Sequence, residues 1–212
     1  MSRPRLLDLF CGAGGAAAGY AAAGFDVVGV DIRPMPRFPF EFHRADALEY
    51  PLDGFDVIHA SPPCQRYSKS VSRAARELRP DLIGPVRERL IASGRVYVIE
   101  NVPGAPLRSP VTLCGSSFGL GVRRHRRFES CALILGQPCR HEAYPPQYAP
   151  AWNRTTPLRF RPISGGWTGG DDLELDAAAM GVTHPMTARE LSESIPPAYT
   201  EWIGRQLLGV YA

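Results

Sequence analysis

The sequence predicts an α/β fold, a Rossmann-like sheet with helices on both faces and a small irregular lobe beside it. Three observations point there. The chain opens with a strand, a glycine-rich turn, an alanine-rich helix and a second strand ending in a carboxylate. Val57, Ile58 and Ala60, and later Val96 to Ile99, form short apolar runs of the kind that strands buried on both faces show. Between these runs Leu82, Ile83, Val86, Leu90 and Ile91 recur at helical spacing and predict a buried stripe. At 212 residues, 44% hydrophobic and 21% charged, the chain suffices for one globular domain with a small lobe.

Arg5 to Phe10 reads as the first strand, Cys11-Gly12-Ala13-Gly14-Gly15 as the turn, and the stretch through Ala23 as a helix stopped by Gly24. Asp26 to Asp31 reads as the second strand. The order is that of a nucleotide-binding βαβ unit. Its glycines let the backbone approach a ligand, and an acid at the second strand's end can take two ribose hydroxyls. On these residues alone a nicotinamide cofactor and S-adenosylmethionine are both open. Residues 33–40 form a proline-rich loop, and Glu41 to Asp46 a short third strand. Asp46 suits an adenine amino group or a turn equally well.

The fourth strand, Val57 to Ala60, runs into Ser61-Pro62-Pro63-Cys64. Two prolines fix their own φ and push the residue before each away from helix, so the turn is stiff. Cys64 then stands at the carboxyl edge, where open α/β sheets bind ligands. A thiol held there is a candidate nucleophile; elsewhere a free cysteine is usually a small buried hydrophobe. A hydride-transfer enzyme has no use for such a turn.

Gln65 to Arg73 is polar, hydroxyl-rich and basic, which predicts a mobile loop; Arg66, Lys69 and Arg73 suit phosphates or an ordinary solvated surface, and charge alone does not decide between them. Residues 76–93 predict helix with a break near Pro80. Val96 to Ile99 is the fifth strand, and Glu100-Asn101-Val102 follows it directly. A carboxylate after a fully apolar run is partly desolvated and its pKa rises; the alternative is a carboxylate paired with an arginine. Leu113-Cys114-Gly115 reads as a turn. Arg123, Arg124, Arg126 and Arg127 then crowd His125 at a strand start, more like charge than packs without anions. Alternation puts Arg124 and Arg126 on one face and Arg123, His125 and Arg127 on the other. Residues 129–175 read as a small irregular lobe, with Trp152 and Trp167 as stacking or local core residues. Met186 to Leu191 and Ala198 to Leu208 read as helices, the second packing back through Trp202, Ile203 and Leu207.

A net charge of +3 is compatible with a polyanionic partner without demanding one. No apolar run approaches a membrane span and no signal peptide opens the chain, so no membrane partner is expected. Five cysteines, an odd number, fit reduced thiols in a cytoplasm. Cys131, Cys139 and His141, with Cys114 upstream, lack a C-x-x-C pair, so no metal is expected.

Together these motifs resemble the cytosine-C5 methyltransferase family, and in size its short bacteriophage members. DLFCGAGG at 8–15 is similar to the family's first motif, Pro62-Pro63-Cys64-Gln65 to its nucleophile motif and Glu100-Asn101-Val102 to its Glu-Asn-Val motif. Arg124-His125-Arg126 is similar to its Arg-x-Arg motif, with Val122 in place of the Gln expected ahead of it. Residues 192–197, SESIPP, resemble the last motif, with Glu193 where Asn is usual. The resemblance implies that Phe10, Gly12, Gly14, Asp31, Ile32, Asp46, Pro63 and Ser194 hold S-adenosylmethionine. It implies that Cys64, Glu100, Arg124 and Arg126 carry the chemistry, and that Pro62, Gln65, Arg66, Ser68, Arg73 and Asn101 meet a cytosine in DNA. Cys64 should then be largely thiolate, its pKa lowered by nearby arginines.

The implied organisation is a catalytic domain at 1–128, a reduced target-recognition lobe at 129–175 and packing helices at 176–212. Relatives that read DNA carry a larger region in place of that lobe, because sequence reading needs several side chains set in a groove. Either specificity is weak, or a separate partner supplies it, or the substrate is RNA or a free cytosine nucleotide. A catalytically silent binding module is a further reading, and the intact Cys64 and Glu100 argue against it.

Overall fold

The computed structural model describes residues 2–68, 72–143, 161, 163 and 172–209. Lys69, Trp152 and Trp167, and most of the segment read as a variable lobe, lie outside them. Seven strands form one sheet: β1 (Arg5–Leu9), β2 (Asp26–Asp31), β3 (Glu41–Arg44), β4 (Val57–Ala60), β5 (Val96–Asn101), β6 (Val111–Leu113) and β7 (Arg126–Ser130). Their order is β3-β2-β1-β4-β5-β7-β6. The pairs from β3 through β5 are parallel, and β7 runs antiparallel between β5 and β6. This is the Rossmann-like sheet with helices on both faces that the sequence predicts.

Period-two alternation explains why both faces are covered. Leu6, Val27, Val57 and Val98 point to one face, where Tyr20 of α1 (Gly15–Ala23) and Tyr199, Ile203 and Leu207 of α6 (Pro197–Leu208) cover them. Leu7, Val28, Ile58 and Ile99, each one residue further on, point to the other face, against Val86 and Leu90 of α3 (Ile83–Ser93). The short α2 (Arg73–Glu77) precedes α3, and the helix breaks around Pro80 as its ring dictates. Ile91, expected in the buried stripe, is 51% exposed because it stands off the face that Ile83, Val86 and Leu90 share. A buried ion pair ties α3 to β7: Arg87 Nε and Nη2 each donate to Glu129 at 2.7 Å.

α4 (Leu173–Met180) and α5 (Ala188–Glu193) precede α6. Met180, Met186 and Leu191 pack with Ala13 and Val122, so these helices lean on the glycine turn. α6 lies against α1 at very short range. A Cβ added at Gly19 would stand 2.0 Å from the Pro197 carbonyl oxygen, so only glycine permits the approach. Among the described residues no helix is long and apolar enough to cross a membrane.

Candidate active site

The strand order reverses between β1 and β4, and ligands of open α/β sheets settle outside the carboxyl ends of strands at that point. Here the two expected motifs meet. Ser61 N–H donates to the Leu9 carbonyl at 3.1 Å, which places the Pro-Pro-Cys turn beside the glycine turn.

Backbone strain marks the glycine side. Phe10, a residue with a Cβ, sits at φ 60°. Gly12 follows at φ 52° with open space on its Cβ side, and Gly14 at φ 91°. The N-cap of α1 is Gly14, which has no side chain to cap the helix. Asp31 ends β2 and accepts the Gly12 N–H at 3.1 Å and the Arg33 N–H at 2.9 Å. A carboxylate has about four acceptor sites, so hydroxyls can still be bound. Ile32 beside it is 65% exposed, an apolar surface next to the acid. Asp46 is exposed and takes the turn role, accepting the Leu48 N–H at 2.8 Å. Ser194 closes the far side, packed so tightly on α1 that a Cβ at Gly15 would overlap its hydroxyl. Together they form a cradle suited to an adenosine-containing cofactor: a glycine turn, an acid with spare acceptors and an apolar plate.

Glu193, standing where the resemblance expects Asn, has a partner near this rim. Its carboxylate lies 3.5 Å from Arg33 and 3.2 Å from Arg189, and Arg33 in turn lies 3.7 Å from Asp31. His184, which the sequence reading did not single out, bonds the Ala13 carbonyl at 2.8 Å through Nε2 and so braces the glycine turn.

On the other side, Cys64 is partly buried on its turn, between the exposed Pro63 and Gln65. Asn101, expected to meet substrate, is buried and holds this turn instead. Its amide donates to the Pro62 carbonyl at 2.9 Å and its oxygen accepts the Val102 N–H. Glu100 lies within β5 rather than after it, and is buried. Because β7 runs antiparallel to β5, Arg126 comes alongside, its Nε 3.1 Å from Glu100 Oε1. That oxygen has no aligned hydrogen-bond donor among the described residues. Burial raises the Glu100 pKa, as expected, against the pull of Arg126, Arg124 and a hydrogen bond from Ser61. Both readings of Glu100 therefore hold at once: it is desolvated and arginine-paired.

The thiol departs from expectation. Burial, then Glu100, raise the Cys64 pKa above the ordinary thiol value, and the opposing charges of Arg126 and Arg124 do not overcome them. Burial, with the Glu100 charge second, therefore favours the thiol form of Cys64. Arg124 is a brace rather than a free cation. Nη1 donates to the Ile163 carbonyl at 3.1 Å and Nη2 to the Ser192 carbonyl at 2.6 Å, while its own carbonyl accepts from Tyr199 at 2.5 Å. Burial, then Arg126, lower its pKa to about 9. It also precedes β7, although it does share a side with Arg126 toward Glu100.

A buried polar chain leads away from Glu100. Ser61 Oγ lies 2.8 Å from His59 Nε2, and His59 Nδ1 lies 3.0 Å from Tyr20 Oη. Burial drives His59 down to about 3, so the ring is neutral. Asp8, opposite His59 on β1, is fully buried, and burial with the charge of Asp31 raises its pKa well above the carboxylate range. His59, Tyr20 and Asp8 do not stand out in the sequence; for His59 and Asp8 a polar residue inside an otherwise apolar strand is the only signal.

Arg66 and Arg73, expected at phosphates, are occupied otherwise. Arg66 donates to the Arg79 carbonyl at 2.7 Å and caps the chain after α2, and Arg73 pairs with Glu77 at 3.0 Å on the surface. Ser68 is half-buried at the end of this described stretch. On the far side of the arginine motif, Cys114, His125, Cys139 and His141 converge, with all four ligand atoms within 4.8 Å of one another. Three of them were named from the sequence; His125 replaces Cys131, whose sulfur accepts the Tyr97 N–H at 3.3 Å elsewhere.

No protein-family model matches the chain, and no curated protein matches it in sequence. Solved structures do share its fold. A putative DNA modification methyltransferase encoded within an Escherichia coli prophage superposes with a TM-score of 0.62 at 14% identity, over 98% of this chain and 99% of that one. The S. pombe Dnmt2 methyltransferase gives 0.65 at 13%, over 99% of both chains. The Entamoeba histolytica methyltransferase EhMeth gives 0.62 at 12%, over the full length of both.

Proposed function

We propose that this chain transfers a methyl group from S-adenosylmethionine to C5 of cytosine in DNA, through a covalent bond between Cys64 and C6. The observation that carries the reading is the meeting of Cys64, Glu100 and Arg126 beside the Phe10–Gly14 turn, where the strand order reverses. The full-length likeness to methyltransferase structures supports it. When bound by Phe10, Gly12, Gly14, Asp31, Ile32 and Ser194, S-adenosylmethionine supplies an electrophilic methyl group.

The chain's own residues do the rest. Cytosine C5 is a poor nucleophile until C6 is attacked. Cys64 gives up its proton to water and forms the S–C6 bond, and the C5–C6 electron pair moves to C5, which can then accept the methyl. Glu100 is suited to share a proton with N3 and to accept from the exocyclic amine, since burial favours its protonated form. Arg126 binds the ring oxygen O2. A base or water then takes the C5 proton, the C5–C6 double bond re-forms, and the S–C6 bond breaks to return the thiolate. Activation is coupled to substrate: once Glu100 is neutralised against the base, the charge that opposes thiolate is gone while Arg126 and Arg124 remain. A base in a duplex must first be flipped out of the stack.

Labelled methyl transfer to duplex DNA, single-stranded DNA, RNA and dCMP, each beside Cys64→Ala, tests the proposal. Label recovered as 5-methylcytosine in DNA and lost in the variant is the expected result. Label in RNA or dCMP alone would keep the chemistry and change the substrate. No transfer to any of the four would overturn the reading.

A further inference from the structure

We propose that Cys114, His125, Cys139 and His141 form a closed, four-coordinate zinc site that fastens the segment after β7 to the β6–β7 edge of the sheet. The site is separate from the cytosine pocket, and its assignment does not depend on the proposed activity.

The spacing of the four ligand atoms fits a tetrahedral site. Cys114 Sγ lies 3.3 Å from His141 Nε2, and Cys139 Sγ lies 3.5 Å from His125 Nε2. Zinc bonds of about 2.3 Å to sulfur and about 2.0–2.1 Å to nitrogen, at tetrahedral angles, put sulfur and nitrogen about 3.6 Å apart. The remaining edges lie within 4.8 Å, so a bound ion draws the cluster in slightly. The two imidazoles stand nearly perpendicular, at 83°, with centroids 5.1 Å apart, and so present two nitrogens to one point without stacking. Two thiolates, two neutral imidazoles and Zn²⁺ sum to zero charge, which suits a neighbourhood already crowded by Arg123, Arg126 and Arg140. Two sulfurs and two nitrogens at tetrahedral spacing select zinc over magnesium or calcium, which want oxygen ligands.

Three separate pieces of chain supply the ligands. Cys114 follows β6, His125 immediately precedes β7, and Cys139 and His141 come from the loop beyond it. Early in that loop the Leu135 backbone is tied to α6, accepting from Trp202 Nε1 at 2.8 Å and donating to Gln206 Oε1 at 2.7 Å, but it buries little apolar surface. From residue 131 to 142 only Ile134 is buried, Leu133 and Leu135 are exposed, and the regular structure is one short 3-10 turn, His141–Ala143. A segment with so small a core gains most from a metal cross-link. Supporting bonds already set the ligands in place. Ser116 Oγ lies 3.2 Å from Cys114 Sγ and accepts the Arg140 N–H at 3.1 Å. Ser117 Oγ donates to the Pro138 carbonyl at 2.9 Å, and Arg123 donates to the His141 carbonyl at 3.2 Å. Such outer contacts orient ligands in metal sites.

His125 sits between Arg124 and Arg126, so ligation fixes the backbone from which both arginines project. On the proposed reading of the active site, zinc is thus a positioning device for Arg126.

The test is the metal content of the full chain, produced without a histidine tag and purified without chelator. Inductively coupled plasma mass spectrometry should find about one zinc per chain. Cys139→Ala, at an exposed position, should lose most of it, and Cys131→Ser should keep it. Cobalt(II) added to the chelator-stripped protein should give the visible bands of tetrahedral coordination and a sulfur-to-cobalt charge-transfer band, both absent in Cys139→Ala. Wild-type protein that is folded by circular dichroism yet holds no zinc and gives no cobalt bands would overturn the proposal. So would full zinc occupancy in Cys139→Ala, or a Cys114–Cys139 disulfide in the freshly purified protein. None of these readouts involves methyl transfer, so failure of the zinc site and failure of the proposed activity are separable.

Discussion

At the scale of single residues, the candidate site is governed by a competition for charge. Arg126 is shared between Glu100 and Cys64, and burial acts against both anions. Removing the carboxylate's charge should therefore ease ionisation of the thiol. Glu100→Gln is expected to move the pH midpoint of Cys64 alkylation downward, and Arg126→Gln to move it upward; iodoacetamide rates across pH read both. An unchanged midpoint in Glu100→Gln would mean that the two groups do not sense each other. His59 sets a second pH dependence. Its folded value of about 3 lies below the ordinary 6.5, so the unfolded chain binds the extra proton first as pH falls. Stability from this group is complete above about pH 6.5 and is lost toward pH 3, amounting to about 3 kcal/mol between pH 7 and pH 4. Asp8 and Glu100, whose values are raised, act in the opposite direction over the same range. Comparing urea midpoints of wild type and His59→Gln at pH 7 and pH 4 isolates the histidine, and the variant should lose less on acidification.

At the scale of elements, close approach decides the seam between α1 and α6. Gly19→Ala forces a Cβ into the Pro197 oxygen and the Glu201 nitrogen, both backbone atoms that cannot swing away. It should cost about 2 kcal/mol or more, read by chemical denaturation. α5 begins with a capping box in which Thr187 and Glu190 satisfy each other's N–H groups. Thr187→Ala should cost about 1 kcal/mol, and a larger loss would show that α5 also steadies Arg124 through the Ser192 carbonyl. The same elements show where the sequence is readable. β2 and β5 carry apolar runs, β1 and β4 carry runs broken only by Asp8 and His59, and their boundaries follow to within a residue or two. α4 is hidden because its pattern is inverted: Leu173 and Leu175 face outward, while Asp176 is fully buried and paired with Arg161. β6 is only three residues long, and edge pairing rather than composition makes it a strand. The cysteine–histidine cluster depends on that pairing, so the spacing along the chain does not reveal it.

At the scale of the whole molecule, the two sides of the sheet's carboxyl edge divide the work. The side of β1 and β2 presents glycines and acids, and the side of β5 and β7 presents arginines. Affinity for polynucleotide, if phosphates are met by the arginine side, should fall linearly with the logarithm of salt concentration, because bound counterions are released. Fluorescence anisotropy of labelled DNA across a salt series checks this, and a flat response would argue for a free nucleotide as substrate. The helical seam also bears on how the molecule is made. Ser194 presses against Gly15 at the end of the glycine turn, and α6 against Gly19 of α1. A nascent chain that has left the ribosome only as far as residue 180 has every strand of the sheet but neither Ser194 nor α6. The seam closes only when they emerge, and until then the partly made protein exposes the apolar face that Tyr199, Ile203 and Leu207 later cover.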